Sequence, residues 1–179
     1  MECLKPILPY LDFEKSYGLE FMVRKRWGGY TNWMSYTLSK SMACFGSLNG
    51  GMAFPTDFGR THHLKWNHHW VVKKWDFAVT YHAQSGGRYT PVASLTASGG
   101  ILFDSRNKAT LPSYHRFDVS IQYLFEQPRL RGSLGATMFN ALDTRNHHQL
   151  QYSSIDNALR NRHLYALSRV GNVFVLLKF

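Results

Sequence analysis

Tyr17-Gly18-Leu19-Glu20-Phe21-Met22-Val23-Arg24 decides the fold. Tyr17, Leu19, Phe21 and Val23 take every second position, with Gly18, Glu20, Met22 and Arg24 between them. Successive side chains of a strand point to opposite faces, so a period of two describes a strand with one apolar and one largely polar side. The alternation returns in Trp75, Phe77, Val79 and Tyr81, opposed by Asp76, Ala78, Thr80 and His82. It returns again in Phe117, Val119, Ile121, Tyr123 and Phe125, opposed by Arg116, Asp118, Ser120 and Gln122. The last segment sets Val173, Val175, Leu177 and Phe179 against Asn172, Phe174, Leu176 and Lys178, a weaker contrast. Less regular strands fit Tyr30–Ser41, His62–Val72 and Leu130–Phe139. The expectation is seven strands and no helix.

The connections between them are unequal in a regular way. Trp27-Gly28-Gly29-Tyr30, Val72-Lys73-Lys74-Trp75 and Glu126-Gln127-Pro128-Arg129 read as tight turns. Met42–Thr61, Ser85–Tyr114 and Asn140–Arg169 read as long polar loops without structure of their own, which compact soluble domains seldom carry. Outer-membrane barrels alternate short periplasmic turns with long extracellular loops in this manner. The alternation sets an orientation in which the final strand runs inward and Phe179 lies at the periplasmic rim.

Composition narrows the classes. The 179 residues are 44% hydrophobic and 18% charged, unlike a disordered chain, and 15% are aromatic. Cys3 and Cys44 are the two cysteines, too few for a disulfide framework and without zinc-site spacing. No apolar run approaches the roughly 18 residues of a membrane-spanning helix. Met1–Ser16 lacks the pattern of a secretory signal. A membrane β-barrel leaves little mark on average hydropathy and passes all these filters. The net charge, 21 − 11 = +10, admits an anionic partner.

Seven strands do not make a whole barrel, because bacterial single-chain barrels have an even number, from about eight upward. An open sheet would also leave two unpaired edges in lipid. An eighth strand over Cys3–Phe13 is disfavoured by Pro6 and Pro9. The reading is therefore an all-β chain in two parts. Residues 1–16 are an irregular lead-in, a remnant of an extracellular loop, and 17–179 are part of a larger antiparallel transmembrane barrel.

Several segments are similar to the late strands of TonB-dependent outer-membrane receptors of Bacteroidetes type. They are Gly18-Leu19-Glu20 with Ser35-Tyr36-Thr37-Leu38-Ser39-Lys40-Ser41, and Phe54-Pro55 through Arg60-Thr61-His62-His63-Leu64. Further along come Ser85-Gly86-Gly87-Arg88-Tyr89-Thr90-Pro91, Leu111-Pro112-Ser113-Tyr114-His115-Arg116-Phe117-Asp118, Asn140-Ala141-Leu142-Asp143 and the aromatic terminus Phe179. Six such pieces in order cover about Tyr17 to Phe179. Arg88 stands where the family's loop motif has Pro, Gly59-Arg60-Thr61 replaces a more acidic, arginine-rich stretch, and the plug domain and coupling box are absent from this sequence. The resemblance implies about seven strands of a 22-stranded barrel in the Gram-negative outer membrane. It also implies uptake of a scarce siderophore, cobalamin, glycan or peptide, energised by the TonB–ExbB–ExbD complex through an N-terminal region. Other implied partners are outer-membrane lipid and lipopolysaccharide, and the barrel-assembly machinery, which would recognise Val173, Val175, Leu177 and Phe179.

Candidate ligand contacts are Arg88, Tyr89, Phe103, Tyr114, His147, His148 and Tyr152, all assigned to long loops. The histidine pairs His62-His63, His68-His69 and His147-His148 face opposite ways along a strand, and His63 and His69 stand about 20 Å apart. Histidines of the lumen and rim are the expectation, with no metal site and no cofactor. Trp27, Tyr30, Trp66, Trp70 and Trp75 fall near turn ends and suggest an aromatic girdle. Arg24-Lys25-Arg26, Lys73-Lys74 and Arg129–Arg131 flank the short turns, where long cationic side chains reach phosphate headgroups. That placement differs from a nucleic-acid face, in which basic and aromatic residues interleave. Ser120 and Ser133 lack a nucleophile-elbow pattern, and no carboxylates are suggestively paired, so the chain does not read as an enzyme. Asp76, Asp118 and Glu20 are expected in polar-face networks with Arg116 and Arg24. Two alternatives stay open: a small self-contained barrel with a structural or adhesive role, and a soluble β-sheet module for a polyanion.

Overall fold

A computed structural model describes residues 12–128, 130–156 and 158–178. Its strands in chain order are β1 (Phe13–Trp27), β2 (Tyr30–Cys44), β3 (Phe54–Pro55), β4 (His62–Val72), β5 (Trp75–Gln84), β6 (Arg88–Tyr89) and β7 (Val92–Leu95). They continue with β8 (Ile101–Phe103), β9 (Ala109–Thr110), β10 (Tyr114–Gln127), β11 (Leu130–Phe139), β12 (His147–Ile155), β13 (Ala158–Tyr165) and β14 (Val170–Lys178). Seven of these form an antiparallel sheet in the order β1-β2-β4-β5-β10-β11-β14, with β3 added to β2.

These seven are the strands that the period-two pattern predicts, and β4 and β11 coincide with His62–Val72 and Leu130–Phe139. β1 starts four residues ahead of Tyr17, so Phe13–Ser16 belong to the sheet and not to an irregular lead-in. The considered strand over Cys3–Phe13 lies outside the described residues, apart from its last two positions, Asp12 and Phe13. Phe179 and Arg129 also lie outside them. Gly28 (φ 51°) and Lys73 (φ 56°) occupy the left-handed region that two-residue hairpin turns favour.

The register carries the alternation across the whole sheet. Directly opposed residues share a face, so one row runs Val23–Met34–Trp66–Tyr81–Phe117. Another runs Tyr30–Trp70–Phe77–Ile121–Ala136–Val173. The opposite face carries rows such as Thr37–His63–Gln84–Tyr114 and Asn67–Thr80–Asp118. One face is predominantly apolar and the other predominantly polar.

Among the described residues neither face is covered by a second layer. The buried apolar residues among those described are Ala43, Cys44, Phe54 and Leu111, whereas Leu19, Phe21, Val23, Val173 and Val175 each expose more than half of their surface. The accessible surface is 13,009 Å². A folded soluble monomer of this mass is expected to expose about 8,900 Å². The sheet is also open: β1 and β14 each have a strand partner on one side, and among the described residues no barrel closes.

The long connections are not structureless, contrary to the sequence reading. β12 and β13 form a hairpin, β6 pairs with β9, and β7 pairs with β8. The hairpin strands HHQLQYSSI and ALRNRHLY are polar on both sides, so their alternation has no contrast to detect. Among the described residues no helix is long and apolar enough to cross a membrane, which says nothing of a β-barrel.

Candidate functional site

The three long connections meet at one end of the sheet, held by buried asparagines. Asn140, fully buried, donates its Nδ2 to the carbonyls of Thr144 (3.1 Å) and Leu167 (3.2 Å) and accepts from the Thr144 amide at 3.1 Å. Asn146 accepts from the His115 amide and donates to the His115 carbonyl, both at 2.8 Å. Asn107 donates to the Pro55 carbonyl at 2.8 Å and to Asp57 Oδ1 at 2.6 Å, tying the connection after β5 to the one after β2. Arg106 strengthens that tie with an ion pair to Asp57 at 2.8 Å.

The segments quoted for the family resemblance are bonded to one another here. Asp118 accepts from the Asn140 amide at 2.9 Å and from Arg116 Nε at 3.0 Å. The Ala141 amide donates to the Phe117 carbonyl at 2.7 Å. The Leu111 amide donates to the Gly87 carbonyl at 2.8 Å, and Gly86 lies so close to the Leu111 carbonyl that a Cβ would overlap it. Small residues, an aspartate and asparagines are what such close backbone approach requires.

The candidate ligand residues divide into four places. Tyr89, Phe103 and Tyr152 share one: the Phe103 and Tyr152 rings meet edge-on with centroids 6.2 Å apart, and burial followed by the influence of Tyr89 pushes the Tyr152 phenol up. Arg88 donates to Thr110 Oγ1 at 2.8 Å, closing the β6–β9 pair. Tyr114 starts β10 on the polar face, its ring 5.4 Å from that of His82 and its hydroxyl accepting from Arg116 at 3.2 Å. His147 and His148 sit at the base of the hairpin, with His148 at a break in register. All seven are therefore strand residues and not residues of structureless loops: Arg88 and Tyr89 lie in β6, Phe103 in β8, Tyr114 in β10, and His147, His148 and Tyr152 in β12.

A recess of about 140 Å³, which no sequence pattern marks, is lined by Phe45, Leu48, Phe54 and Phe58 and by polar residues that include Asp57 and Arg106. A second recess of about 500 Å³ shares Leu48 and Arg106 and reaches Phe103. Phe58 is 91% exposed in this connection, the one available signal being an aromatic in an otherwise polar turn. Nearby, Asp104 is held below the usual carboxylate range by its hydrogen bond from Lys108, with the Ser105 amide adding to the effect.

The strand histidines divide between the two faces of the sheet. His62, His68 and His115 lie on the apolar face, each bonded through Nδ1 to a tyrosine: Tyr36 (2.7 Å), Tyr30 (2.6 Å) and Tyr81 (2.9 Å). His63, His69 and His82 lie on the polar face, with His69 bonded to Asp76 at 2.6 Å and His63 to His82 at 2.5 Å.

Trp27, Tyr30, Trp66, Trp70 and Trp75 share the apolar face, and Tyr30 stacks between Trp27 (5.5 Å) and Trp70 (5.3 Å). Val173, Val175 and Leu177 line the same face of β14. Ser133 is buried without a hydrogen-bond partner, between Leu124 and Leu176 in register. Compared with known proteins, the chain matches no family model, no curated protein and no solved structure.

Proposed function

We propose that this chain is a wall segment of a larger outer-membrane β-barrel, the C-terminal portion of a TonB-dependent receptor, whose long-connection end takes part in capturing an extracellular ligand. The observation that carries the reading is the sheet itself, apolar across one face, polar across the other, and uncovered on both. Lipid and a water-filled lumen are the two surroundings that suit those faces. A soluble polyanion-binding module would need a second layer over the apolar face.

The dimensions agree with that assignment. Lys15 Nζ lies 5.9 Å from the Tyr17 ring and Lys25 Nζ lies 4.5 Å from the Trp27 ring, framing Leu19, Phe21 and Val23 on β1. Ten residue steps between Tyr17 and Trp27 span about 33 Å of strand, or about 23 Å of height at a tilt near 45°, close to the thickness of a barrel's apolar band.

Strand direction constrains the missing part. With seven alternating strands, β1 and β14 run the same way, so antiparallel closure needs an odd number of additional strands. About fifteen would complete a 22-stranded receptor, and one would complete a small barrel. In the receptor, the polar face lines the lumen, the long-connection recesses face the medium, and TonB–ExbB–ExbD acts through a plug encoded elsewhere in the protein. The test is the genomic sequence upstream of the Met1 codon. An in-frame plug domain followed by about fifteen strands is expected. A ribosome site at Met1 with no such frame would overturn the receptor assignment and leave the small barrel.

A further inference from the structure

We propose that His147 and His163 form a two-imidazole site for a divalent transition cation such as Cu²⁺ or Zn²⁺ at the base of the β12–β13 hairpin. Their Nδ1 atoms face each other at 3.1 Å, and the rings meet edge-on with centroids 5.0 Å apart. Two ring nitrogens each about 2.05 Å from one metal ion stand about 2.9 Å apart at a right angle and about 3.3 Å apart at the tetrahedral angle. The observed separation falls between these limits. Without a metal the contact requires a proton on one Nδ1; the cation replaces that proton and is bound by both lone pairs.

The surroundings favour this pair over the other histidines. His163 is exposed and His147 half-buried, so the site opens to solvent and leaves coordination positions for water or for a chelator carried with the metal. Tyr165 forms its wall, its ring 4.8 Å from that of His147. His62, His68 and His115 each commit a ring nitrogen to a tyrosine, and His69 commits one to Asp76. His63 and His82 touch more closely, at 2.5 Å, and Lys65 and Arg116 occupy the register positions around them, which opposes a cation. The hairpin pairing creates the site: His147 opposes Tyr165, and His163 precedes Tyr165 by two residues on β13, on the same side of that strand. Two imidazoles are softer ligands than carboxylates and suit Cu²⁺, Ni²⁺ or Zn²⁺ over Mg²⁺ or Ca²⁺. The site rests on the hairpin's own geometry, so it stands or falls independently of the receptor assignment.

The experiment uses the full chain refolded in detergent micelles, with Cu²⁺ alone as the probe. One equivalent is expected to give an electron paramagnetic resonance spectrum split by two imidazole nitrogens. H147Q and H163Q should each weaken binding roughly tenfold or more, while H63Q leaves it unchanged. Unaltered affinity in the H147Q/H163Q double variant, or loss of binding in H63Q instead, would overturn the site. A second measurement needs no variant. Cu²⁺ should protect His147 and His163 from carbethoxylation, read by mass spectrometry, and modification of both at the same rate with and without the ion would also overturn it.

Discussion

Asn140 concentrates the energetics of the long-connection end in one side chain. Its amide group satisfies three backbone groups of the segment before β14, its own amide reaches Asp118, and its backbone adopts φ 50°, a conformation asparagine tolerates better than alanine. Asn140→Ala strands those groups in a buried place and is expected to lower stability by about 3 kcal/mol, read as a shifted denaturation midpoint in detergent. Sequence inspection marked Asn140-Ala141-Leu142-Asp143 and the stretch ending in Asp118 only as familiar patterns. The bond that joins them spans 22 residues, a separation no local pattern exposes. The histidines make the same point. His62-His63 and His68-His69 face apart as the period of two requires, whereas the contacts form across strands, 16 residues apart for His147–His163 and 19 for His63–His82.

At the scale of strands, contrast between faces governed what could be read. β5 and β10 alternate sharply and are legible in the sequence, while β12 and β13 are polar on both sides and read as loop. β14 shows the intermediate case: Phe174 and Leu176 point to the polar face, where their register neighbours are Gly135 and Ser133. The face assignment has a direct consequence for neighbouring residues of β10. Val119 lies on the apolar face opposite Val79, and Ser120 on the polar face opposite Ala78. In lipid, Val119→Lys is expected to cost about 2–4 kcal/mol and Ser120→Lys less than about 1 kcal/mol, measured by reversible unfolding from vesicles. Equal costs would place both faces in the same surroundings.

For the whole molecule, charge and aromatic placement follow the two ends of the sheet. Arg24, Lys25, Arg26, Lys73, Lys74 and Lys178 cluster at the short-turn end, and Arg131 there pairs with Glu126 at 2.6 Å. Long cationic stems beside an aromatic row suit a headgroup layer, where the chain ends are polar and the stems are not. The five tryptophans supply the most direct test of which face meets lipid. Trp27, Trp66, Trp70 and Trp75 lie on the apolar face, whereas Trp33, opposite Arg24 and Asn67, lies on the polar one. Single-tryptophan variants of the full chain, refolded into vesicles containing brominated phospholipid, report lipid contact by fluorescence quenching. The account predicts strong quenching at positions 27, 66, 70 and 75 and little at Trp33; equal quenching at all five, or none at any, would contradict it.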